Sequence, residues 1–431
     1  MSKAHISVDH VARVEGHGNI HVEIEAGSVK TVEMNVVEPA RLFEAMVRGR
    51  NFADVPYISS RICGICSASH VVTDLLAIER IFGVEVSART HALRELLIYG
   101  SYLQNHASHL FVFAAPDYLN MPSVFPLAEV NKELFDKALK LKALGNKLCN
   151  AVGGRSIHPI CAVVGGFTAE PSTQEFLELA QNLEAAMPFV REVVDLFAGF
   201  EVPEIETEGN MLAMVEAGKY PVCTSGQAKF LQSENAFDAS SALKQIEEYE
   251  VDHSAALFAR EKASGKPYFT GALARINASW ANLSKEAKFA SAKANLRSLK
   301  LNPFLNNVAQ AVELVDVCVR CAQICKDIAN PKGALAMSSK PVQFDVCAGS
   351  ATGFTEAPRG VLFHNLELDS KGCVKHATIL TPTAQNCANL EADMRLLAEN
   401  LVAAGAGEAQ IRAEIEKLVR AYDPCFSCSV H

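Results

Sequence analysis

Two Cys-x-x-Cys pairs lie at opposite ends of this chain, Cys63-Gly64-Ile65-Cys66 and Cys425-Phe426-Ser427-Cys428. If both serve one site, the chain must fold so that its two ends meet. A two-residue spacer lets both sulfurs of a pair turn toward one ion, and Gly64 is expected to permit the tight backbone this requires. Four thiolates suit zinc, an iron–sulfur cluster or nickel, all of which accept soft ligands. Structural zinc modules usually keep their pairs roughly 15–20 residues apart. Here most of the chain separates them. Spacing alone leaves three readings open: a structural zinc site, a redox-active metal site, or inert cysteines.

The bulk numbers narrow the class. With 431 residues, 49% of them hydrophobic, the chain can bury a large core. Length alone allows two or three domains, and one large interleaved unit as well. The net charge is −9, with acids and bases mixed along the chain, so no nucleic-acid partner is expected. The start, Met1 to His10, lacks the apolar stretch of a secretory signal. No apolar run reaches the roughly 18 residues of a membrane span. The expectation is a soluble, cytoplasmic protein. Thirteen cysteines in a chain this long point to metal ligation or buried thiols rather than a disulfide framework.

Residues 4–38 read as β. His5-Ile6-Ser7-Val8, Ile20-His21-Val22-Glu23-Ile24 and Val32-Glu33-Met34-Asn35-Val36 alternate, and a turn at Ala26-Gly27-Ser28 makes the last two a hairpin. Residues 40–200 read as helical. The run Ala88–Phe113 carries apolar residues at i, i+3 and i+4, and a second helix starts at Pro171-Ser172-Thr173 and runs toward Phe200. Residues 201–275 read as irregular with small strands such as Tyr268-Phe269-Thr270, and 277–330 as helical again. Residues 340–431 are mixed: strands and turns to 386, then helix over 388–421 with a break at Gly405-Ala406-Gly407, then the cysteine motif. Gly16-His17-Gly18 lacks the third glycine and the lysine of a phosphate-binding loop.

Four motifs in order carry a resemblance. They are Arg13-Val14-Glu15-Gly16-His17; Arg61-Ile62-Cys63-Gly64-Ile65-Cys66 with His70; Ala357-Pro358-Arg359-Gly360; and Asp423-Pro424-Cys425-Phe426-Ser427-Cys428 with His431. Together they resemble the motifs of nickel–iron hydrogenase large subunits, from residue 6 to 431. The resemblance implies a mainly helical α+β fold with a long-helix core and small peripheral β elements. It implies one interleaved catalytic unit over 1–431. It also implies reversible heterolytic cleavage of dihydrogen at a nickel–iron centre. By motif position Cys63, Cys66, Cys425 and Cys428 hold nickel. Cys66 and Cys428 bridge to an iron carrying carbon monoxide and cyanide.

Further roles follow from the resemblance alone. Glu15 matches a proton-relay glutamate, and a carboxylate suits that work because its surroundings can tune its proton affinity. Cys425 is the implied first proton acceptor. Arg359 matches the arginine over the open metal position, with a fixed charge and five donors. Pro382 and Thr383 match a pair that surrounds a cyanide ligand, and His70 a histidine near a bridging sulfur. Glu44, the carbonyl of Ile379 and His431 match the ligands of a magnesium ion, for which the histidine also allows another divalent ion. In this family the chain is trimmed just after that histidine, so an end at His431 resembles the matured form. Electrons leave through clusters this chain lacks. An iron–sulfur small subunit is therefore an implied partner, with further modules of heterodisulfide-reductase, flavin or nicotinamide type.

Weaker features stand beside these. Cys318, Cys321 and Cys325 share one helix face, and with Cys149, Cys161, Cys223, Cys347, Cys373 and Cys387 are expected to be buried and inert. His106 and His109 are either proton relays or satisfied core histidines. Gly153-Gly154-Arg155 with His158-Pro159 is a loop expected near the site. Pro382-Thr383-Ala384-Gln385-Asn386, Phe426-Ser427 and the short chain resemble the cytoplasmic multi-subunit branch, the non-deazaflavin-reducing, heterodisulfide-reductase-linked type most. Cysteine at every nickel position argues against a selenocysteine variant. The rival readings are a structural zinc protein, a nickel-free quinone-site relative, which would lack the cysteines, and a hydrogen sensor with the same ligands.

Overall fold

A computed structural model describes residues 3–207, 209–223, 226–294, 296 and 301–431. The expected irregular and second helical stretches reach into residues 208, 224–225, 295 and 297–300, which with residues 1–2 lie outside the described residues.

The chain opens with an antiparallel sheet of β1 (Lys3–Val8), β2 (Gly18–Glu25) and β3 (Ser28–Val36), in that order. Along β2 every second residue is buried, as alternation predicts. Ala26 and Gly27 join β2 to β3 with φ of 49° and 78°, the pair of positive values that a tight two-residue hairpin needs.

Four long helices form the core: Ala88–Ser108, Lys132–Gly153, Thr173–Ala198 and Asn306–Ala329. The last packs on the third and the first, and the first packs on the second. The third starts where its cap predicts. Ser172 Oγ accepts from the Glu175 N–H at 3.3 Å, and the Glu175 carboxylate accepts from the Ser172 N–H at 2.8 Å. The first does not run unbroken to Phe113. It gives way after Ser108 to a π-turn over His109–Ala114, within which both His109 ring nitrogens find partners, Gln310 Oε1 at 2.5 Å and the Arg420 carbonyl at 2.6 Å.

The stretch 277–330 is less helical than its composition predicts. Ala272–Ser279 and Lys285–Ala290 are short, and the long helix begins only at Asn306, after a turn opened by Pro303. Within 201–275 the strand Ser254–Glu261 pairs with Ile246–Val251. Its sequence, Ser-Ala-Ala-Leu-Phe-Ala-Arg-Glu, hides the strand because it does not alternate.

A second sheet, Gly349–Ala357, Gly360–Leu368 and Val374–Leu380, is antiparallel and turns at Pro358-Arg359. Most of this sheet is buried, against helix Ser67–Phe82. The two meet very closely. A Cβ on Gly353 would stand 2.0 Å from the Thr73 carbonyl oxygen, and Thr73 Oγ1 lies 2.7 Å from Thr355 Oγ1. Helix Pro382–Ala403 starts six residues before the expected helical stretch, with Pro382 in its first turn. Gly405, at φ 78°, separates it from Glu408–Ala421. The chain ends then meet. The Phe426 N–H donates to the Glu15 carbonyl at 2.9 Å, and the Arg41 N–H to the Val430 carbonyl at 2.9 Å. Among the described residues no helix is long and apolar enough to cross a membrane.

The Gly353 contact makes a prediction. Gly353→Ala should lower stability by roughly 1–3 kcal/mol, because strand and helix must part to admit one methyl group. A melting temperature equal to wild type would show that they have room to spare.

Candidate metal centre

Cys63 follows a 3-10 turn, Ser60–Ile62, and Cys66 caps the N-terminus of helix Ser67–Phe82. Cys425 precedes a short turn, Phe426–Cys428, and Cys428 ends it. The sulfurs of Cys63, Cys66 and Cys428 all lie within 4.8 Å of one another, and among the described residues they are the one set of three or more such ligands. Cys66 Sγ is 3.8 Å from Cys428 Sγ, and Cys425 Sγ is 3.5 Å from Cys63 Sγ. Cys425 and Cys428 are in disulfide contact. As metal ligands both must be reduced. All four cysteines are buried. A hydrogen bond from Cys66 and the charge of Arg359 hold Cys63 below the usual thiol range, against burial. Arg41 ties the two loops together, donating from Nη2 to the carbonyls of Ile62 and Ser427. Gly64 is not needed as expected. Its φ is not positive, and nothing lies within 4 Å of where a Cβ would stand.

Glu15 forms an isolated parallel β-bridge with Cys425. Its Oε2 lies 2.9 Å from Cys425 Sγ, and Ser427 Oγ donates to its Oε1 at 2.5 Å. It is half-buried, so its carboxylate joins the sulfur cage to the outside. Arg359 is 4% exposed. Its Nε donates to the Asp423 carbonyl at 2.7 Å, and Nη2 stands 3.0 Å from Asp423 Oδ1, off hydrogen-bonding geometry. Nη1 and Nη2 are buried without a hydrogen-bond partner among the described residues. Four clustered sulfurs with a half-orphaned guanidinium fit a soft-ligand metal carrying ligands that accept hydrogen bonds. Thr383 Oγ1 accepts from the Cys425 N–H at 3.0 Å, which leaves its own hydroxyl proton to donate. Pro382 precedes it in the same helical turn.

The residues of the second implied ion also meet. Glu44 accepts from the Ile379 N–H at 2.7 Å. His431 Nδ1 faces the Cys428 carbonyl at 2.9 Å, and its Nε2 faces the Ile379 carbonyl. Both ring nitrogens thus face acceptors, while burial lowers the pKa and favours a neutral ring with a single N–H. A cation between Nε2 and the carbonyl oxygen would resolve that conflict. Glu248, which no motif marks, adds to the site. Burial and the nearby Glu44 push its carboxyl up to about 8, and its Oε1 has no hydrogen-bond partner among the described residues.

Sequence reasoning missed His364, Asp74 and the buried charges behind Arg359. His70 sits in a fully buried chain: its Nδ1 is 3.0 Å from His364 Nε2, and His364 Nδ1 is 2.7 Å from Asp74 Oδ1. Arg275, Glu313 and Glu356 form a buried ionic cluster behind Arg359. Charged residues within apolar runs, such as Ala272-Leu273-Ala274-Arg275-Ile276, were the available signal. His106 is a satisfied core histidine, 2.8 Å from Glu313 Oε2. His158 Nδ1 meets the Ser60 carbonyl at 2.9 Å, which puts its loop beside the first cysteine pair. Cys149, Cys318, Cys325 and Cys387 are pushed by burial up to about 12, as inert thiols. Three others are not buried as expected: Cys347 is exposed, and Cys161 and Cys373 are half-buried at the edges of turns.

A family profile described as nickel-dependent hydrogenase matches residues 41–133 and 258–431. The chain is 35% identical to the alpha chain of sulfhydrogenase 1 from Pyrococcus furiosus, over 99% of this chain and 97% of that one. It is 29% identical to the corresponding chain of the F420-non-reducing hydrogenase from Methanothermobacter thermautotrophicus, over 99% and 94%. The higher identity to the sulfhydrogenase chain does not single out the heterodisulfide-reductase-linked branch. The fold matches a crystal structure of NAD+-reducing NiFe hydrogenase in the H2-reduced state, with a TM-score of 0.87 at 25% identity over 100% of each chain. With this profile and a cage of four buried cysteines built from its two ends, the chain belongs to the nickel-dependent hydrogenase family as a large, catalytic subunit.

Proposed function

We propose that this subunit splits dihydrogen reversibly and heterolytically into protons and electrons at a nickel–iron centre, and hands the electrons to an iron–sulfur partner subunit. Cys63, Cys66, Cys425 and Cys428 would hold nickel, and Cys66 and Cys428 would also serve an iron with carbon monoxide and cyanide ligands. When bound, such a centre supplies the redox-active metals and the open position at which dihydrogen is polarised. The observation that carries this reading is the 2.9 Å approach of Glu15 Oε2 to Cys425 Sγ. A proton acceptor thus stands against a ligand sulfur and beside the outside of the protein.

The residues divide the work. Cys425 takes the proton at Sγ, and Glu15 receives it there. Ser427 Oγ holds the Glu15 carboxylate through Oε1, so that Oε2 stays on the sulfur. Arg359 keeps a fixed positive charge over the cage that orients dihydrogen, and its Nη1 and Nη2 would donate to cyanide. Thr383 donates its hydroxyl proton to a cyanide that Pro382 helps to enclose. His70 supports a bridging sulfur. Glu44, the Ile379 carbonyl and His431 hold magnesium or another divalent ion, which braces the segment after the second cysteine pair. The chain works as a single interleaved unit over 1–431, supported by one hydrophobic cluster that includes residues from Ile6 to Val430. We place it in the cytoplasm, with partners that include flavin, nicotinamide or heterodisulfide-reductase modules.

An infrared spectrum of the metal-loaded protein should show bands of metal-bound carbon monoxide and cyanide, with nickel and iron in equal amounts. A loaded sample without such bands, or with zinc in place of nickel, would sink the reading. Glu15→Gln should keep the metal content and cut turnover by roughly 10²–10⁴-fold. Full turnover in that variant would remove Glu15 from the proton path. His431→Ala should lose the divalent ion while the wild type retains it, as metal analysis of both would show. Equal magnesium in the two would move that ion elsewhere.

A further inference from the structure

We infer that Arg275, a residue outside every site motif, positions Arg359 through a closed ring of buried polar contacts. The inference rests on the reading of Arg359 above.

Arg275 sits in helix Ala272–Ser279 and is 2% exposed. A guanidinium has five N–H donors, and the structure engages all of them. Nε and Nη2 donate to Glu313 Oε1 at 2.6 Å and Oε2 at 2.8 Å. Nη1 donates to Glu356 Oε2 at 3.1 Å and to the Ala357 carbonyl at 2.9 Å. Nη2 also donates to the Pro358 carbonyl at 2.8 Å. The two carbonyl acceptors belong to the two residues that immediately precede Arg359. A peptide unit is planar, so holding both carbonyls sets the two planes from which the Arg359 backbone departs.

The contacts close on themselves. Glu313 also meets His106 Nε2 at 2.8 Å. The neighbouring Asn105 donates to Asp423 Oδ2 at 2.7 Å, and Asp423 is the residue that holds Arg359 Nε. The path runs from Arg359 through Asp423, the Asn105–His106 step of the first core helix, Glu313 of the fourth and Arg275, to Pro358 and back. Burial pushes Glu313 up, but Arg275 and His106 hold it at about 2, so it stays a carboxylate facing the Arg275 charge. Lysine could not replace Arg275, because three donors from one point cannot serve two carboxylates and two carbonyls. A buried ion pair of this kind is weak evidence for stability, but it can specify a single arrangement. Here that arrangement is the one that leaves Arg359 Nη1 and Nη2 without a hydrogen-bond partner among the described residues.

The test uses the metal-loaded protein with its partner subunits. Arg275→Lys should retain nickel and iron, shift the infrared bands of bound cyanide, and lower kcat/KM for dihydrogen by roughly 10- to 100-fold. A purely stabilising role would lower the melting temperature without moving those bands. If Arg275→Lys does not fold, Glu356→Gln serves instead. It keeps the volume but turns an amide donor toward Arg275 Nη1 or the Met214 N–H, and should shift the same bands. A folded, loaded variant of either kind with wild-type bands and wild-type kcat/KM would overturn the inference. Wild-type protein without any such bands would instead overturn the reading of Arg359, and this inference with it.

Discussion

The short parallel bridge between Glu15 and Cys425 is the contact on which the rest depends. It joins a segment near the start of the chain to one near its end, and sets the Glu15 carboxylate against the Cys425 sulfur. Its neighbours reinforce it. Arg420 Nε holds Asp117 at 2.5 Å and Nη1 donates to the Ala12 carbonyl at 3.0 Å, so the Glu15 segment is fastened to the last helix. Arg41 spans the two cysteine loops. The four-helix core and the buried sheet supply a rigid frame around this junction, and the frame brings Arg359 to it.

The frame contains buried charge. Arg94 with Glu79, Arg275 with Glu313 and Glu356, and Arg359 with Asp423 are all nearly inaccessible to water. Each carries a desolvation cost that only good geometry offsets. Their distribution is informative. Two of the three arginines lie around the turn at residues 357–359, where small displacements matter most to chemistry.

Much of this was legible beforehand, and the reasons differ by residue. Cys63, Cys66, Cys425 and Cys428 stand in motifs whose spacing left several readings open, and it was the resemblance those motifs carry that implied one shared site. The capped start at Ser172 and the turn at Ala26-Gly27 were local signals, and local signals survive folding. Arg275, Glu313 and Glu248 were not legible, because their partners come from distant segments and a single charged residue in an apolar run does not name its counter-charge. Ser254–Glu261 was hidden for a related reason: its burial is set by what packs on it, not by its own alternation. Gly64 misled in the other direction. Glycine there suggested a backbone only glycine would permit, and its φ is not positive.

The distance along the chain between Glu15 and Cys425 has a kinetic consequence. Contacts between such remote segments offset their loop-closure entropy last, after nearer helices and hairpins have condensed. During synthesis the wall formed by residues 423–431 also emerges from the ribosome after the first cysteine pair, the buried sheet and Arg359. Those elements can therefore stand assembled around a cleft that is still open on one side. Closing the final segment is then the step that turns a solvent-facing cleft into a sealed chamber.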